Sequence, residues 1–239
     1  MSYLIKKATG VVALDADFDN GSQWEKAEVI HISNRMYRTY GFFQSLWRKI
    51  TGKEKAEAND PYCPVTDLKL LHDDQFIYGL FRVKDQYVRA TSSKFGEQAC
   101  IDSCVEFFIH PSGTERYLNF EFTAGGFLLV YDVKDLRNGD FKKVSEEDWK
   151  KVRIFHSLPS IIDPEIAEPT EWFLGFAVPV KMFGQLGSGV NTAVLSGQTW
   201  TANAYKCAEL TSHPHWFTWH AIPQLDFHLP EYFGEVTFE

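Results

Sequence analysis

The sequence has few cysteines and no cluster of positive charge. Four cysteines occur among 239 residues, without CxxC spacing, so we expect reduced thiols rather than a disulfide or metal framework. Cys104 and Cys207 interrupt apolar runs, where a small side chain packs well. The net charge is −8 and the Lys and Arg residues are scattered. This argues against nucleic acid as a partner, because a phosphate backbone is bound by clustered positive charge.

Long apolar segments are also lacking. No window holds 18 uninterrupted apolar residues, so we predict no membrane span and no integral membrane contact. The start, Met1-Ser-Tyr-Leu-Ile-Lys-Lys, lacks the apolar core of a secretory signal. The localisation stays open between the cytoplasm and a periplasmic or extracellular site reached after removal of a leader. No internal repeat is visible.

What recurs instead, from residue 65 onward, is a series of short apolar runs bounded by Gly, Pro, Asn and Asp. Such runs predict β-strands, and the 15% aromatic content suits a sheet protein. The clearest hairpin joins residues 65–71 to 76–85. The further predicted strands cover residues 104–110, 117–123, 127–132, 152–155, 172–178, 198–206 and 236–238. The pattern predicts an all-β protein with one domain over residues 1–239, a two-sheet antiparallel β-sandwich of jelly-roll or immunoglobulin-like type.

Residues 34–60 differ from this pattern. Phe43, Leu46, Trp47 and Ile50 have the i, i+3, i+4, i+7 spacing of an amphipathic helix. We predict an inserted helix near 40–58, packed on the domain by its apolar face and followed by a charged loop. The charged segments 134–151 and 159–170 are predicted to be excursions between strands and poor places to seek chemistry, apart from a short helix that begins near Ser145.

Strand parity identifies candidate binding residues, because successive side chains point to opposite faces of a sheet. In residues 117–123, Asn119 and Glu121 share one face. Glu106 and Asn203 lie on the corresponding faces of their strands. Carboxylates and amides hydrogen-bond sugar hydroxyls, while aromatic rings cover the C–H faces of a pyranose. These four residues therefore indicate a sugar-binding face, and an ordinary solvated sheet face is the alternative.

Ordered motifs over about residues 8–239 resemble the family 9 carbohydrate-binding modules, in particular those associated with xylanases and a larger bacterial group of similar proteins. An acidic turn before a Trp opens the series, and the hairpin over residues 66–85 follows it. The remaining motifs are Asp102-Ser-Cys-Val-Glu-Phe-Phe-Ile109, Tyr117-Leu-Asn-Phe-Glu-Phe122, Asn203-Ala-Tyr-Lys-Cys207 and Phe227-His-Leu-Pro-Glu-Tyr-Phe-Gly234. Each motif alone is weak, but their order is specific.

The resemblance implies a β-sandwich that binds a mono- or oligosaccharide without transforming it. The implied ligands are glucan- or xylan-derived and bound at the reducing end, and the implied partner is a glycoside hydrolase such as a xylanase. Glu106 matches a sugar-contacting glutamate, and Phe227 lies where one platform Trp lies in the family. Trp216 or Trp219 would add to the stacking. Cys100 lies near the second platform position, and a thiol cannot stack as an indole does.

The resemblance also implies structural calcium, and no other cofactor is expected. The acidic turn offers the carboxylates of Asp15, Asp17 and Asp19 as hard oxygen ligands. The turn lacks the glycine and the distal glutamate of an EF-hand loop. An ordinary acidic turn is therefore the alternative to a calcium site.

Three other functions stay open. Glu106 and Glu121 on neighbouring strands could serve a glycoside hydrolase, since such enzymes use a pair of carboxyl groups. The segment His213-Pro-His-Trp-Phe-Thr-Trp-His220 with Cys207 could bind zinc. A sandwich that has lost sugar binding could serve a structural or interaction role.

Overall fold

The computed structural model describes residues 2–37, 62–187 and 189–239. β-Strands dominate this part of the chain. The strands are β1 (Tyr3–Lys7), β2 (Ile30–His31), β3 (Asn34–Met36), β4 (Val65–His72), β5 (Phe76–Asp85), β6 (Val88–Ala90), β7 (Cys104–His110), β8 (Tyr117–Thr123), β9 (Leu128–Asp135), β10 (Asp140–Lys143), β11 (Arg153–His156), β12 (Ile162–Ile166), β13 (Thr170–Pro179), β14 (Thr199–Ala208), β15 (His215–Thr218) and β16 (Gly234–Phe238). The helices are α1 (Glu146–Trp149) and the 3-10 helices Gln23–Lys26, Val180–Leu186 and Pro230–Tyr232.

The strands form two large sheets that meet along β1. Sheet A has the order β10-β9-β8-β7-β14-β16-β1, with β15 beside β14 and β3 beside β15. Sheet B has the order β1-β4-β5-β13-β11, with β2 beside β4. β1 pairs in parallel with β16 through Tyr3–Ile5 and with β4 through Lys6 and Lys7, whereas the other pairings are antiparallel. β6 and β12 form a small separate sheet. The predicted all-β sandwich is confirmed.

The sequence located the long strands to within a few residues. The predicted hairpin is β4 and β5, in continuous register from Val65 and Lys84 to His72 and Ile77. Ser145 caps α1 as expected, because its Oγ accepts a hydrogen bond from Asp148 N at 3.1 Å. However, segments 134–151 and 159–170, which were predicted to be excursions between strands, contain strands of their own, β10 and β12. The helix predicted near 40–58 lies outside the described residues.

The main core lies between the inner faces of the two sheets. The alternating apolar side chains of β7, β8 and β14 pack there against those of β5 and β13. The rings of Phe122 and Phe176 stack with centroids 5.0 Å apart. Phe176 also covers Gly79, its partner on β5, so closely that a Cβ at Gly79 would lie 2.2 Å from the ring. The absence of a side chain at Gly79 therefore lets the ring of Phe176 lie directly on the backbone of β5 at the centre of the core.

The outer face of sheet B is covered by the segment that precedes β2. Phe18 and Trp24 are buried there against Tyr78 and Leu80 of β5. Trp24 donates its indole N–H to the carbonyl of Ala13 at 2.9 Å. The acidic turn of the sequence therefore lies on sheet B. No helix among the described residues is long and apolar enough to cross a membrane.

A buried ion pair connects the two sheets. Lys206 of β14 points inward, and its Nζ lies 3.2 Å from Oδ2 of Asp85 at the end of β5, with both side chains fully buried. Lys206 also donates to Nε2 of His215 at 2.8 Å, while the other ring nitrogen of His215 lies 2.8 Å from the carbonyl of His213. Burial and the neighbouring Lys206 lower the pKa of His215 to about 3, so the ring is neutral and accepts from the ammonium group.

The carboxylate of Asp85 has hydrogen-bond donors in addition to Lys206. Its carboxylate accepts hydrogen bonds from Trp172 Nε1 at 3.2 Å and from the hydroxyl of Tyr62. Burial alone would raise the pKa of Asp85, but Lys206 and the other partners hold it below its ordinary value. The pair is therefore charged and hydrogen-bonded on both sides, which is the condition under which two buried charges are tolerated.

We expect Lys206→Met to lower the free energy of unfolding by about 3 to 5 kcal/mol, because it leaves the buried Asp85 carboxylate without its cation. Urea unfolding followed by circular dichroism measures this loss. Lys84→Met is the matched control, because Lys84 is exposed and its ion pair with Glu171 is long, at 4.0 Å. This substitution should lower the free energy of unfolding by less than about 1 kcal/mol. Equal losses in the two variants would contradict a structural role for the buried pair.

Candidate functional site

The outer face of sheet A brings the predicted sugar-binding residues together. The register pairs Glu106 of β7 with Glu121 of β8 and with Tyr205 of β14. Cys104 pairs with Cys207 in the next row. Asn119, Glu121 and Asn203 share this face, as parity predicted. The face is not the open, solvated surface of the alternative interpretation, because these polar side chains are almost completely buried.

Burial results from two segments that pack onto this face. Ala99 and Cys100 cover one part, and Leu225, Phe227 and Phe233 cover another. Between them remains a pocket of about 430 Å³. Its lining residues are Gln98, Cys100, Glu106, Glu121, Tyr131, Leu136, Phe141, Cys207, Glu209, Trp216, Leu225, Asp226, Phe227 and His228. A volume of this size is typical of small-molecule sites.

Phe227 is held in a fixed orientation. Its ring stacks on that of Tyr205 with centroids 4.1 Å apart and an interplanar angle of 14°. The hydroxyl of Tyr205 donates to the carbonyl of Phe227 at 2.9 Å. The same strand residue thus supports both the backbone and the ring of Phe227, so that a flat aromatic surface borders the pocket.

The residues on either side of Phe227 are anchored as well. His228 Nδ1 lies 2.8 Å from the hydroxyl of Tyr117. Arg137 donates its Nε to Asp226 at 2.9 Å, and Asp226 accepts from the backbone N–H of His228 at 3.0 Å. Burial lowers the pKa of His228 to about 4, so its ring is neutral near pH 7. The wall of the pocket therefore has well-defined contacts at three successive residues.

Two carboxyl groups form the floor of the pocket. Glu106 and Glu121 are 2% and 6% exposed and lie directly opposite each other. Glu121 accepts from the amide of Asn119 at 2.8 Å, and Glu106 accepts from the thiol of Cys207 at 3.1 Å. Burial raises the pKa of both carboxyls, and the negative charges of Glu106 and Glu209 raise that of Glu121 further. The pair therefore keeps a proton at pH values where an exposed glutamate has lost it.

Asn119 and Asn203 lie on the expected face but support other groups. Besides orienting Glu121, Asn119 accepts from Tyr131 N at 2.7 Å. Asn203 exchanges hydrogen bonds with the backbone of His220, accepting at 2.9 Å and donating at 3.1 Å. Neither amide lines the pocket among the described residues. Both amides are engaged by hydrogen bonds to backbone groups, with which amides pair readily.

The two tryptophans predicted to cover the sugar differ in position. Trp216 of β15 lines the pocket beside Cys207, its partner in register. Trp219 lies beyond the end of β15, where its ring contacts Tyr3 edge-on at 5.8 Å and packs on the main core. Since it does not line the pocket, only Trp216 is placed to contact a ligand there.

The cysteines lie on the same side of the sheet as the two glutamates. Cys104, Cys207 and Glu106 form the one group in the described ranges whose potential metal-ligand atoms all lie within 4.8 Å of one another. Burial raises the pKa of Cys104 to about 12. The pKa of Cys207 is also raised, by its neighbours Cys104 and Glu106 and by burial. A soft metal would require loss of both thiol protons. Instead, the Cys207 thiol is a hydrogen-bond donor to Glu106.

The other predicted metal ligands are not brought together. Asp17 caps the backbone N–H groups of Asp19 and Asn20, and Asp19 pairs with Arg82 at 2.7 Å. The carboxylates of Asp15, Asp17 and Asp19 do not meet at one point within the described residues. As placed, they do not fit a calcium ion, and calcium binding stays a prediction.

The histidines proposed for zinc are engaged separately. His213 stacks on Tyr87 with centroids 3.6 Å apart, and His215 accepts from Lys206 in the core. His220 packs against Trp219. In the part of the chain that the structure covers, these rings do not assemble around Cys207. Their positions offer no support for a zinc site.

Sequence reasoning missed more than half of the residues that line the pocket. Phe141 comes from β10, in a segment that the sequence suggested was unrelated to binding, and it is 40% exposed. Its ring meets that of Tyr131 edge-on at 5.2 Å. The other residues that were missed are Gln98, Tyr131, Leu136, Glu209, Leu225, Asp226 and His228. A single Phe in the charged run Asn138-Gly-Asp-Phe-Lys-Lys143 was the one signal available.

The fold and the site define a class of protein: a two-sheet β-sandwich with a small-molecule pocket on the outer face of one sheet. The profile of carbohydrate-binding family 9 matches residues 47–238. The chain belongs to this family, as the ordered motifs predicted. A search of the curated proteins finds no match to the chain.

Solved structures agree with this assignment. A Bacteroides uniformis protein, described as a candidate carbohydrate-binding protein, is 26% identical with a TM-score of 0.78, over 100% of this chain and 99% of that chain. A family 9 module of Caldicellulosiruptor kristjanssonii in complex with cellotriose has a TM-score of 0.59 and 12% identity, over 100% and 94% of the two chains. A structure of such a module with glucose gives the same TM-score and identity, over 100% and 96%. At 12% identity this likeness shows the fold.

We expect Glu121→Gln to raise the melting temperature, and more at pH 8 than at pH 4. The folded state holds the proton of Glu121 more tightly than the unfolded state, so the wild type loses stability as the pH rises above the ordinary glutamate value. The variant has a neutral amide at this position, which does not titrate, so its stability does not fall with rising pH for this reason. Each unit of pKa shift corresponds to about 1.4 kcal/mol, and each kcal/mol to about 2 to 4 °C in a protein of this size.

Differential scanning calorimetry at the two pH values measures the effect. Glu171→Gln is the matched control, because Glu171 is an exposed carboxylate on sheet B. Its melting temperature should follow that of the wild type at both pH values. A Glu121→Gln variant that is less stable than the wild type at pH 8 would contradict the strained carboxyl pair.

Proposed function

We propose that the chain binds a mono- or oligosaccharide in the pocket on sheet A and does not transform it. One observation carries the proposal: a buried pair of carboxyl groups lies on the floor of a pocket that is bordered by an aromatic ring held flat by Tyr205. Carboxyl oxygens accept from sugar hydroxyls, and an aromatic face packs on the C–H groups of a pyranose. The known ligands of the C. kristjanssonii modules, cellotriose and glucose, support the same class of ligand.

Glu106 and Glu121 are proposed as the primary hydrogen-bonding groups. Oε1 of Glu121 accepts from Asn119, and the carboxyl group of Glu121 lines the pocket. A sugar hydroxyl would hydrogen-bond this carboxyl group in a site that excludes much of the water. Because a hydrogen bond contributes more where water is largely excluded, this contact should contribute to affinity. Phe227 would stack on the ring of the sugar, with Trp216 and Phe141 at its edges.

We propose a glucan- or xylan-derived ligand bound at its reducing end. Gluco- and xylo-configured pyranoses have flat faces that suit the ring of Phe227. The floor of the pocket is the sheet itself, which favours the end of a chain over its middle. The anomeric hydroxyl is the most acidic hydroxyl of a sugar and hence the best donor to an oxygen of this carboxyl pair. The resemblance to xylanase-associated modules supports a glycoside hydrolase as the partner protein.

The arrangement of the carboxyl groups favours binding over hydrolysis. In a glycoside hydrolase the two carboxyl groups flank the bond that is cleaved. Here both groups rise from neighbouring strands on one face of the sheet, so they approach a bound sugar from the same side. We therefore expect the purified protein to release no product from aryl glucosides, aryl xylosides or xylo-oligosaccharides. Hydrolysis that is abolished in Glu106→Gln would contradict a binding-only function.

Isothermal titration calorimetry with D-glucose, cellobiose and xylobiose tests the proposed ligands. We expect dissociation constants between about 1 mM and 1 μM, since net gains per hydrogen bond are small. Phe227→Leu should weaken binding about tenfold, because it removes the flat ring but keeps an apolar side chain.

Phe76→Leu is the control for this substitution. Phe76 lies on sheet B, where its ring is covered by the guanidinium of Arg153. Its replacement should leave sugar affinity unchanged. Absence of binding to any of these sugars, and to a glycan array, would favour a structural or interaction role instead.

A further inference from the structure

The floor of the pocket holds two thiols beside a carboxyl group. Cys104 and Cys207 lie directly opposite each other on β7 and β14. Glu106 follows Cys104 by two residues on β7, so its side chain shares the outer face of sheet A. All three side chains are buried. Their potential ligand atoms, two sulfurs and one carboxyl oxygen, all lie within 4.8 Å of one another, so three potential metal ligands surround one point.

The distances within this group are close to those of a metal centre. Bonds of about 2.3 Å to sulfur and about 2.0 Å to oxygen place the ligand atoms of a tetrahedral zinc ion about 3.5 to 3.8 Å apart. The Sγ atom of Cys207 and Oε1 of Glu106 are already 3.1 Å apart, joined by the thiol hydrogen. Small side-chain rotations would therefore bring the three atoms to bonding distance from one ion, which would take the place of this hydrogen.

The pocket gives a metal ion access to this group. Cys207 and Glu106 line the pocket of about 430 Å³, and Cys104 is buried beside them. Zinc sites that bind a further ligand have three protein ligands and keep the fourth tetrahedral position open. Here the fourth position would face the pocket, where a water molecule or a hydroxyl group can occupy it.

We propose that Cys104, Cys207 and Glu106 bind one divalent zinc or cadmium ion at the floor of the pocket. Two thiolates favour such an ion over calcium or magnesium, which prefer oxygen ligands. Binding displaces the two thiol protons and any proton of the carboxyl group, and these protons pass to the solvent. The site shares Cys207, but no histidine, with the zinc site considered from the sequence. It requires no bound sugar and so goes beyond the proposed function.

The test is titration of the reduced, metal-free chain with cadmium chloride near neutral pH, in the absence of sugar. Cadmium reports on its own ligands, because thiolate coordination produces a sulfur-to-metal charge-transfer band in the ultraviolet. We expect this band to saturate at one ion per chain, with a dissociation constant of about 1 μM or below. Excess zinc should remove the band by displacing cadmium, whereas excess calcium should leave it unchanged.

Variants locate the site. Cys104→Ser and Cys207→Ser should each weaken cadmium binding by more than about a hundredfold, since changes behind the direct ligands of a metal already cost about 10- to 100-fold. Glu106→Gln keeps both thiols, so the band should persist while the affinity falls by about tenfold. Cys63→Ser is the matched control, because Cys63 is an exposed cysteine outside this group. It should leave the band and the affinity unchanged.

Several outcomes would overturn the inference: no band with the wild type, a band of wild-type affinity in either Cys104→Ser or Cys207→Ser, or loss of the band in Cys63→Ser. Unchanged affinity in Glu106→Gln, or displacement of cadmium by calcium, would do the same. Circular dichroism shows whether each variant is folded. If a serine variant does not fold, the wild-type titration and Glu106→Gln still decide the question. None of these results depends on sugar binding, which calorimetry with sugars tests separately.

Discussion

The buried ion pair between Lys206 and Asp85 connects the interior of the sandwich to the pocket. Lys206 points into the core to meet Asp85 at the end of β5. Its neighbours Tyr205 and Cys207 must then point outward, since side chains alternate along a strand. Tyr205 supports the ring of Phe227, and Cys207 donates to Glu106. A slip of β14 by one residue would break the ion pair and turn both pocket residues into the core, so one contact fixes the register for both faces.

The pocket combines a rigid floor with walls from less regular segments. The floor comes from the central strands β7, β8 and β14, which are paired on both sides. The wall around Phe227 belongs to a loop, but the loop is anchored by tyrosine hydroxyls from the floor strands. Loops held in this way by a scaffold are common at binding sites. Burial raises the pKa of both carboxyl groups, so the pair lowers stability as the pH rises. The proposed role of the pair in binding would make this a compromise between stability and function.

Parity and turn residues were sufficient to predict most of the fold and the floor of the pocket. The long central strands have a clear period of two, and Glu106, Asn119 and Glu121 were assigned to the correct face. Short strands such as β2 and β10 could not be found, because a strand of two to four residues has too few alternations. Nor could the sequence reveal that Asn203 pairs with the backbone of His220, or that Glu209 and Asp226 join the site. Those contacts depend on how loops fold back on the sheet.

β10 has a consequence for how the binding specificity of this protein can change over time. It carries Phe141 at the margin of sheet A, pairs with β9 alone among the described strands, and is exposed at all four of its residues. None of its four side chains belongs to the main core. The outer rim of the proposed binding pocket can therefore change in sequence at less cost to the packing of the main core than its buried carboxyl groups can.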